Sequence, residues 1–267
     1  MSVPTILVLA GKRDGALDPL AERAGVSHKA VIPVAGKPLI SHVLRRLEEA
    51  WDDAKIVVSI HDPNVLDHIT VVRRLREAGR IEIVEAEDGL VESVYKAAET
   101  AEWPLLITTG DNALVTVEAL HRINAVGDER QVDAVIGVVS SAAIQAAYPY
   151  KKKGFYEFRD VAISNCNLFW LRDASALAVA EPFRRGGQFA KRKGELRRAF
   201  GLISLIRFRF RMDTLDGAMR RLSRRFGVRA AAHLFEDGRL AIDVDNQESL
   251  EATEALMAAD ANEAAGV

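Results

Sequence analysis

Near the end of the chain, the stretch LAIDVDNQESL places Asp243 and Asp245 two residues apart. In an extended strand that spacing points both carboxylates to one face. Adjacent carboxylates repel unless a cation lies between them or solvent screens them. Mg2+ takes oxygen ligands, commonly one or two carboxylates together with substrate phosphates and water. A third carboxylate, Asp111, follows the apolar run LLITTG. At the carboxyl end of a buried parallel strand, an aspartate faces the crevice where such sheets bind ligands. Each position has a plainer reading: Asp111 caps the following turn or helix, and Asp245 or Asn246 caps the closing helix. The opposite charge comes from residues 8–40, VLAGKRDGALDPLAERAGVSHKAVIPVAGKPLI. Glycines such as Gly11 let backbone N–H groups approach a ligand and form an anion nest. Lys29 supplies a point charge suited to phosphate. The alternative is an ordinary surface loop. The segment fits neither G-x-x-x-x-G-K-[ST] nor G-x-G-x-x-G. The histidines and Cys166 show no H-x-x-x-H or C-x-x-C spacing, so zinc is not expected. No Ser–His–Asp or Cys–His arrangement is legible.

These groups need a scaffold, and the first half of the chain spells one out. TILVLA, KIVVSI, IEIVEA, PLLITTG and VDAVIGVVS read as strands, most of them continuously apolar. Between them lie PLISHVLRRLEEA, NVLDHITVVRRLREAG, LVESVYKAAETA and TVEALHRINAVG, with apolar residues at helical spacing. Leu39, Ile40, Val43, Leu44 and Leu47 form one such stripe. Apolar strands alternating with amphipathic helices predict a mostly parallel sheet covered on both faces. Right-handed crossovers then give a doubly wound α/β fold. After Ser140, GFYEFRD and SNCNLFWL read as a strand pair joined by VAI. Helical segments follow from about 174 to 226, then VRAAAHLF and RLAIDVD as strands, and QESLEATEALMAAD as a closing helix.

The 267 residues suit a single domain over 1–260, with a helical insertion at about 174–227 and a frayed tail at 261–267. A hydrophobic content of 49% argues against disorder. One cysteine excludes an intramolecular disulfide and suits the reducing cytoplasm. VPTILVLAG is too short to span a membrane and lacks a basic leader, and no apolar run reaches about 18 residues.

The opening LAGKR, with Leu9, Ala10, Gly11 and Arg13, and SHKAVIPVAGKPLI, with Lys29, Pro33, Gly36, Lys37 and Pro38, resemble the start of a GT-A-like nucleotidyltransferase family. That family is the MobA-like NTP transferases, related to sugar-phosphate nucleotidylyltransferases and cytidylyltransferases. DVDNQESL is similar to the segment before its last helix. The resemblance covers roughly 3–173 and 228–258. It departs where the second glycine of the usual pair is Lys12, and where KRDGALDPLA replaces the usual loop.

The resemblance implies a Rossmann-like, three-layer α/β/α sandwich and an enzyme that moves a nucleoside monophosphate from a nucleoside triphosphate to a phosphorylated small-molecule acceptor. Pyrophosphate is released and Mg2+ is required. It further implies that Ala10 and Gly11 hold the nucleotide while Arg13 and Lys29 neutralise its phosphates. Asp111, Asp243 and Asp245 hold the metal. Gly89 and Ser93 approach the base or ribose, Gly89 being equally readable as a helix start. Lys153 and Asn167 meet the acceptor, Lys153 being equally readable as part of a solvated run.

From Arg184 to Arg229 the chain carries fifteen basic residues against Glu195, Asp213 and Asp216. Phe189, Phe200, Phe208 and Phe210 are interleaved. Such a segment fits an anionic membrane surface, placing the protein peripherally at the inner face. It equally fits a helical subdomain with solvated arginines. No nucleic-acid module accompanies the charge, which argues against nucleic acid. Two rival functions stand beside nucleotidyl transfer. A glycosyltransferase of the same fold would use a nucleotide sugar, but its D-x-D usually lies mid-chain. A non-catalytic nucleotide-binding or membrane-surface protein would account for the altered AGKRDG loop.

Overall fold

The computed structural model describes residues 2–12, 17–149, 154–183 and 207–265. The first strand, β1 (Thr5–Leu9), is buried on both faces. Ile6 and Val8 enter one core cluster and Leu7 the other. A strand covered on both faces has no solvent side to alternate with, hence its continuous apolar run. A short helix α1 (Pro19–Arg23) follows, capped by Asp18. A single turn at Lys29–Val31 and a small hairpin, β2 (Pro33–Val34) and β3 (Lys37–Pro38), come next. At its tip Ala35 and Gly36 take φ of 46° and 74°, the left-handed pair that a two-residue hairpin turn requires. The Ala35 N–H donates to Glu254 Oε1 at 2.8 Å. The VAGKP motif therefore forms a hairpin that launches α2 (Leu39–Ala50). The five residues of the expected α2 stripe are all fully buried. Each such burial is worth about 1.5–3 kcal/mol relative to exposure.

The chain continues through β4 (Ile56–Ile60), α3 (Thr70–Glu77), β5 (Ile81–Glu85), α4 (Leu90–Ala98), β6 (Leu105–Thr109), α5 (Val117–Glu129), β7 (Ala134–Ser140) and α6 (Ser141–Ala147). Then come β8 (Tyr156–Glu157), β9 (Ala162–Leu171), a 3-10 segment at Ala174–Phe183, α7 (Leu215–Phe226), β10 (Ala230–Phe235) and α8 (Gln247–Ala265). The eight-stranded sheet has the order β10-β7-β9-β6-β1-β4-β5, with β8 on β9. β9 runs antiparallel to β6, β7 and β8, and the other pairs are parallel. One cluster packs α2, α3 and α5 on one face. The second joins α4, the 174–183 segment and α7 on the other. The expected doubly wound, mostly parallel three-layer sheet is what the chain forms.

Two expected elements differ. The helix read across 64–79 is a 3-10 turn at Pro63–Leu66 followed by α3. Asp62 caps the turn through the Asn64 N–H, and Ile69 is extended, so the helix restarts at Thr70. RLAIDVD is not a strand. Gly238–Ala241 forms a 3-10 turn capped by Asp237. A Cβ on Gly238 would lie 2.0 Å from the Ala143 carbonyl oxygen, so this segment presses on α6 instead of joining the sheet. The strand-alternation reason for pairing Asp243 with Asp245 therefore fails. The two sit in a tight turn, in which the Asp245 N–H donates to the Asp243 carbonyl at 2.9 Å.

Of the helical insertion, 184–206 lies outside the described residues. α7 starts at the Thr214 cap and ends at Gly227 in the left-handed conformation. Its Met219 and Leu222 pack on the second cluster, while Arg220, Arg224 and Arg225 are exposed. α8 continues through Ala265, into the stretch expected to fray.

Candidate active site

The chain builds β1, β4 and β5 outward in one direction, then returns to lay β6 on the other side of β1. The crevice at the carboxyl ends of β1 and β6 is thus the topological switch point. The backbone continues the ladder one step past both strands. Ala10 N–H donates to Ser59 O, and Gly110 N–H to Leu9 O, each at 2.8 Å. A Cβ on Gly110 would sit 3.1 Å from Ala10 Cβ. A Cβ on Gly11 would meet His61 at 3.1 Å and Ala86 at 3.2 Å. Small residues here let two loops run side by side, which sets Gly11 beside His61 and carries Asp111 into the crevice.

Lys29, on the Lys29–Val31 turn, reaches into this crevice. Its Nζ donates to Asp111 Oδ2 at 2.5 Å and to Asp245 Oδ1 at 2.6 Å. Lys29 and Asp111 are 23% and 20% exposed, and Asp245 is 62% exposed. Burial works against the ammonium, but the charges and hydrogen bonds of Asp111 and Asp245 outweigh it and raise the Lys29 pKa. Lys29 is therefore charged at every physiological pH. Among the described residues, Lys29 thus faces two carboxylates. Asp111 Oδ1 is buried without a hydrogen-bond partner.

Of the plainer readings, capping of the closing helix by Asn246 holds, while Asp111 does not cap α5 and Asp245 does not cap α8. α5 is capped by Thr116, which accepts from Ala119 N–H. α8 is capped by Asn246, whose Oδ1 accepts from Ser249 N–H at 2.9 Å. Ser249 Oγ in turn accepts from the Asp245 and Asn246 N–H groups. This reciprocal cap holds the Asp243–Asp245 turn and leaves the Asp245 carboxylate to Lys29. Val244 N–H approaches the Asp111 carbonyl at 3.4 Å, so Asp243 and Asp245 flank the strip beside Asp111.

Asn112, missed in the sequence, ties the crevice to β9. It is fully buried, and its Nδ2 donates to the Cys166 carbonyl at 3.0 Å. There the register of β7 against β9 slips, and Asn167 takes a φ of 53°. Such bulges re-aim side chains, and they recur beside active sites. Asn165 Oδ1 accepts from the Asn167 N–H at 3.0 Å.

His61 was also missed. Its Nδ1 accepts from the Lys12 N–H at 2.8 Å, which ties up the amide of the residue replacing the usual second glycine. An AG pair facing a histidine at the end of the second strand was the available signal. Gly89 is the N-cap of α4, the helix-start reading, and Ser93 lies in the first turn of that helix, after β5 and two strands from β1. Ser93 is buried, and its Oγ donates to Gly89 O and accepts from Glu87 N–H, so it braces the start of α4. Arg13 and Lys153 lie outside the described residues. Among the described residues, no three His, Cys, Asp or Glu side chains form a ready metal cage.

A doubly wound sheet with its charged cluster at the switch point is the architecture of the Rossmann-like α/β proteins. Residues 6–176 match the MobA-like NTP transferase domain, and the chain belongs to that family of nucleotidyltransferase enzymes. Over 106 residues, 40% of this chain, it is 27% identical to the bifunctional protein GlmU of Methanocaldococcus jannaschii. The match spans 24% of that relative's length. A solved structure described as a hypothetical transferase from Thermus thermophilus superposes with a TM-score of 0.74 at 26% identity, covering 93% of this chain and 100% of that one. The 4-diphosphocytidyl-2C-methyl-D-erythritol synthase of Anaerococcus prevotii superposes at 0.55 with 11% identity, over 96% and 100% of the two chains. At that identity the likeness is one of fold. Among the described residues, no helix is long and apolar enough to cross a membrane.

Proposed function

We propose that the protein transfers a nucleoside monophosphate from a nucleoside triphosphate to a phosphorylated small molecule, with Mg2+ as cofactor and pyrophosphate as the second product. The observation that carries this reading is the position of Lys29, held between Asp111 and Asp245 at the switch point. On nucleotide binding, Lys29 exchanges a carboxylate partner for phosphate oxygens and stabilises their charge. The residues present fit Mg2+: Asp111 keeps a buried oxygen without a partner, and the donors around it are oxygens. Asp111 and Asp245 would hold the ion, with Asp243 beside them. When bound, Mg2+ neutralises phosphate charge and orients the triphosphate.

An oxygen of the acceptor phosphate attacks the α-phosphorus, the α–β bridging P–O bond breaks, and its electrons leave with pyrophosphate. The nucleophile is already anionic, so the chain needs no general base. Its work is positioning and charge stabilisation. Ala10 and Gly11 bring backbone close to the nucleotide, and the start of α4, with Gly89 and Ser93, closes its base or ribose end. Asn167, on the bulge, meets the acceptor. Arg13 and Lys153, outside the described residues, take the leaving pyrophosphate and the acceptor phosphate.

A second reading, non-catalytic nucleotide binding, draws on the Lys12 amide, which His61 engages. Thermal stabilisation by ATP, GTP, CTP and UTP, with and without Mg2+, separates the two when combined with pyrophosphate release. A ligand that binds only the folded state raises its apparent stability. A Mg2+-dependent shift with one nucleotide, lost in Asp111→Ala and accompanied by turnover, supports transfer. A shift without turnover across phosphorylated acceptors supports the second reading. No shift with any of the four overturns both.

A further inference from the structure

Mostly outside the residues that match the family domain, arginines gather around one carboxylate. Asp213, 9% exposed, accepts from Arg207 Nη2 at 2.8 Å and from Arg207 Nε at 3.0 Å, and it pairs with Arg221. Burial resists its ionisation, but the two guanidinium groups outweigh that and hold its pKa below the usual carboxylate value. Arg159 is fastened to the same corner, its backbone N–H donating to the Asp213 carbonyl at 2.8 Å. These residues, with Arg220 and Arg224 from α7, line a cavity of about 270 Å3. Among the described residues Arg159, Arg220 and Arg224 make no ion pair. Asp213 answers two of the five arginines; Asp160, whose Oδ1 accepts from the Leu215 N–H at 3.0 Å, and Asp216 in the first turn of α7 are the nearby acids, so among the described residues the corner keeps an excess of positive charge.

Uncompensated arginines in a concavity repel one another, and water screens this less well there than on an open surface. The arrangement is stable in isolation because Asp213 fixes two of them. The rest wait for an anion from outside. Guanidinium forks match phosphate oxygens in pairs, which a carboxylate-poor cavity of this size accommodates. We infer that this cavity is a phosphate-binding site, separate from the Lys29 crevice, with which it shares no lining residue. The ligand carries a phosphate monoester or diester. Phe208, Phe210 and Met212 lie exposed on the adjoining strip, Phe210 at 69%. They give the site an apolar margin, so the phosphate belongs either to a soluble phosphorylated molecule or to a phospholipid headgroup.

Titration calorimetry of inorganic phosphate into the full chain, without Mg2+, tests this. Arg220 and Arg224 are exposed, so Arg220→Gln/Arg224→Gln leaves the fold intact, and Arg159→Gln serves as a second, independent variant. Saturable binding is expected in the wild type and in Lys29→Ala. It should weaken about tenfold in the double variant, as the loss of two charge-assisted contacts implies. No saturable binding, or equal affinity in wild type and both arginine variants, overturns the proposal. Loss of binding in Lys29→Ala alone also overturns it, by moving the phosphate to the crevice. Co-sedimentation then identifies the source. Retention on vesicles of phosphatidylcholine with phosphatidylglycerol, but not on phosphatidylcholine alone, reduced by Phe210→Ser and by free phosphate, assigns a headgroup. Phosphate binding without retention assigns a soluble phosphorylated molecule.

Discussion

The crevice and the arginine cavity are electrostatic opposites. In the crevice, among the described residues, one lysine is gripped by two carboxylates, Asp111 and Asp245. In the cavity one aspartate is gripped by Arg207 and Arg221, and the excess is positive. The first arrangement suits a ligand that brings its own cation, as a triphosphate with Mg2+ does. The second suits a bare anion. The crevice also sits at the sheet's switch point, where strand order forces distant loops together. The cavity is assembled by the segment 207–214, one face of α7 and the β8–β9 turn. Charge balance therefore separates two sites that would both be called phosphate-binding from residue types alone.

The strongest way to break the contrast is Lys29→Ala. Loss of a donor aimed at transition-state charge lowers turnover by about 10^2–10^3-fold. Pyrophosphate release under saturating nucleotide measures it. The same variant should gain more thermal stability from Mg2+ than the wild type does, because Asp111 and Asp245 then lack their cation. An unchanged turnover would remove Lys29 from the chemistry.

Asp213→Ala attacks the other side. Breaking a buried pair costs about 3–5 kcal/mol. Arg207 and Arg221 remain 34% and 27% exposed, so solvent offsets part of this and about 2 kcal/mol is expected by urea unfolding. The Asp213 pKa is depressed in the folded state, from an ordinary 3.8. Its contribution is therefore present above pH 3.8 and is lost as pH falls through the folded-state value. The gap between wild type and variant should close only in that acid range.

His61→Leu sharpens the crevice. Leaving the Lys12 N–H without its acceptor costs about 1 kcal/mol, or roughly fivefold in nucleotide affinity if the pinned loop is the binding form. Tighter binding in the variant would instead show that His61 holds the loop away from the nucleotide.

The smallest effect is that of pH. His28, beside the crevice loop, His42 on α2 and His233 on β10 all have lowered pKa values, chiefly through burial. The unfolded chain then binds protons more readily below about 6.5, so stability falls as pH drops from there toward the folded-state values. Arginine charge does not change over that range. Melting temperature measured from pH 8 to 5 should decline, while the cavity keeps its charge.

Much of the molecule was legible in its residues. The stripe on α2 and the apolar runs of β1, β4 and β6 announced their burial, because the need to hide such surface acts within a dozen neighbouring residues. Lys29 and Asp111 stood out by type and by their place after strands. What misled was the alternation in RLAIDVD: Gly238 must lie against α6, and that demand is invisible locally. Asn112 and His61 were passed over because their partners, Cys166 and Lys12, are distant in sequence.

By itself the sequence determined which segments bury their faces and which loops carry charge. Only the tertiary structure decided that Lys29 meets Asp111, 82 residues away, and Asp245, 216 residues away. It likewise chose Asn246 over Asp245 as the cap of α8. Periodicity is set by local burial, whereas the meeting of loops is set by strand order, and strand order is a property of the whole packed sheet.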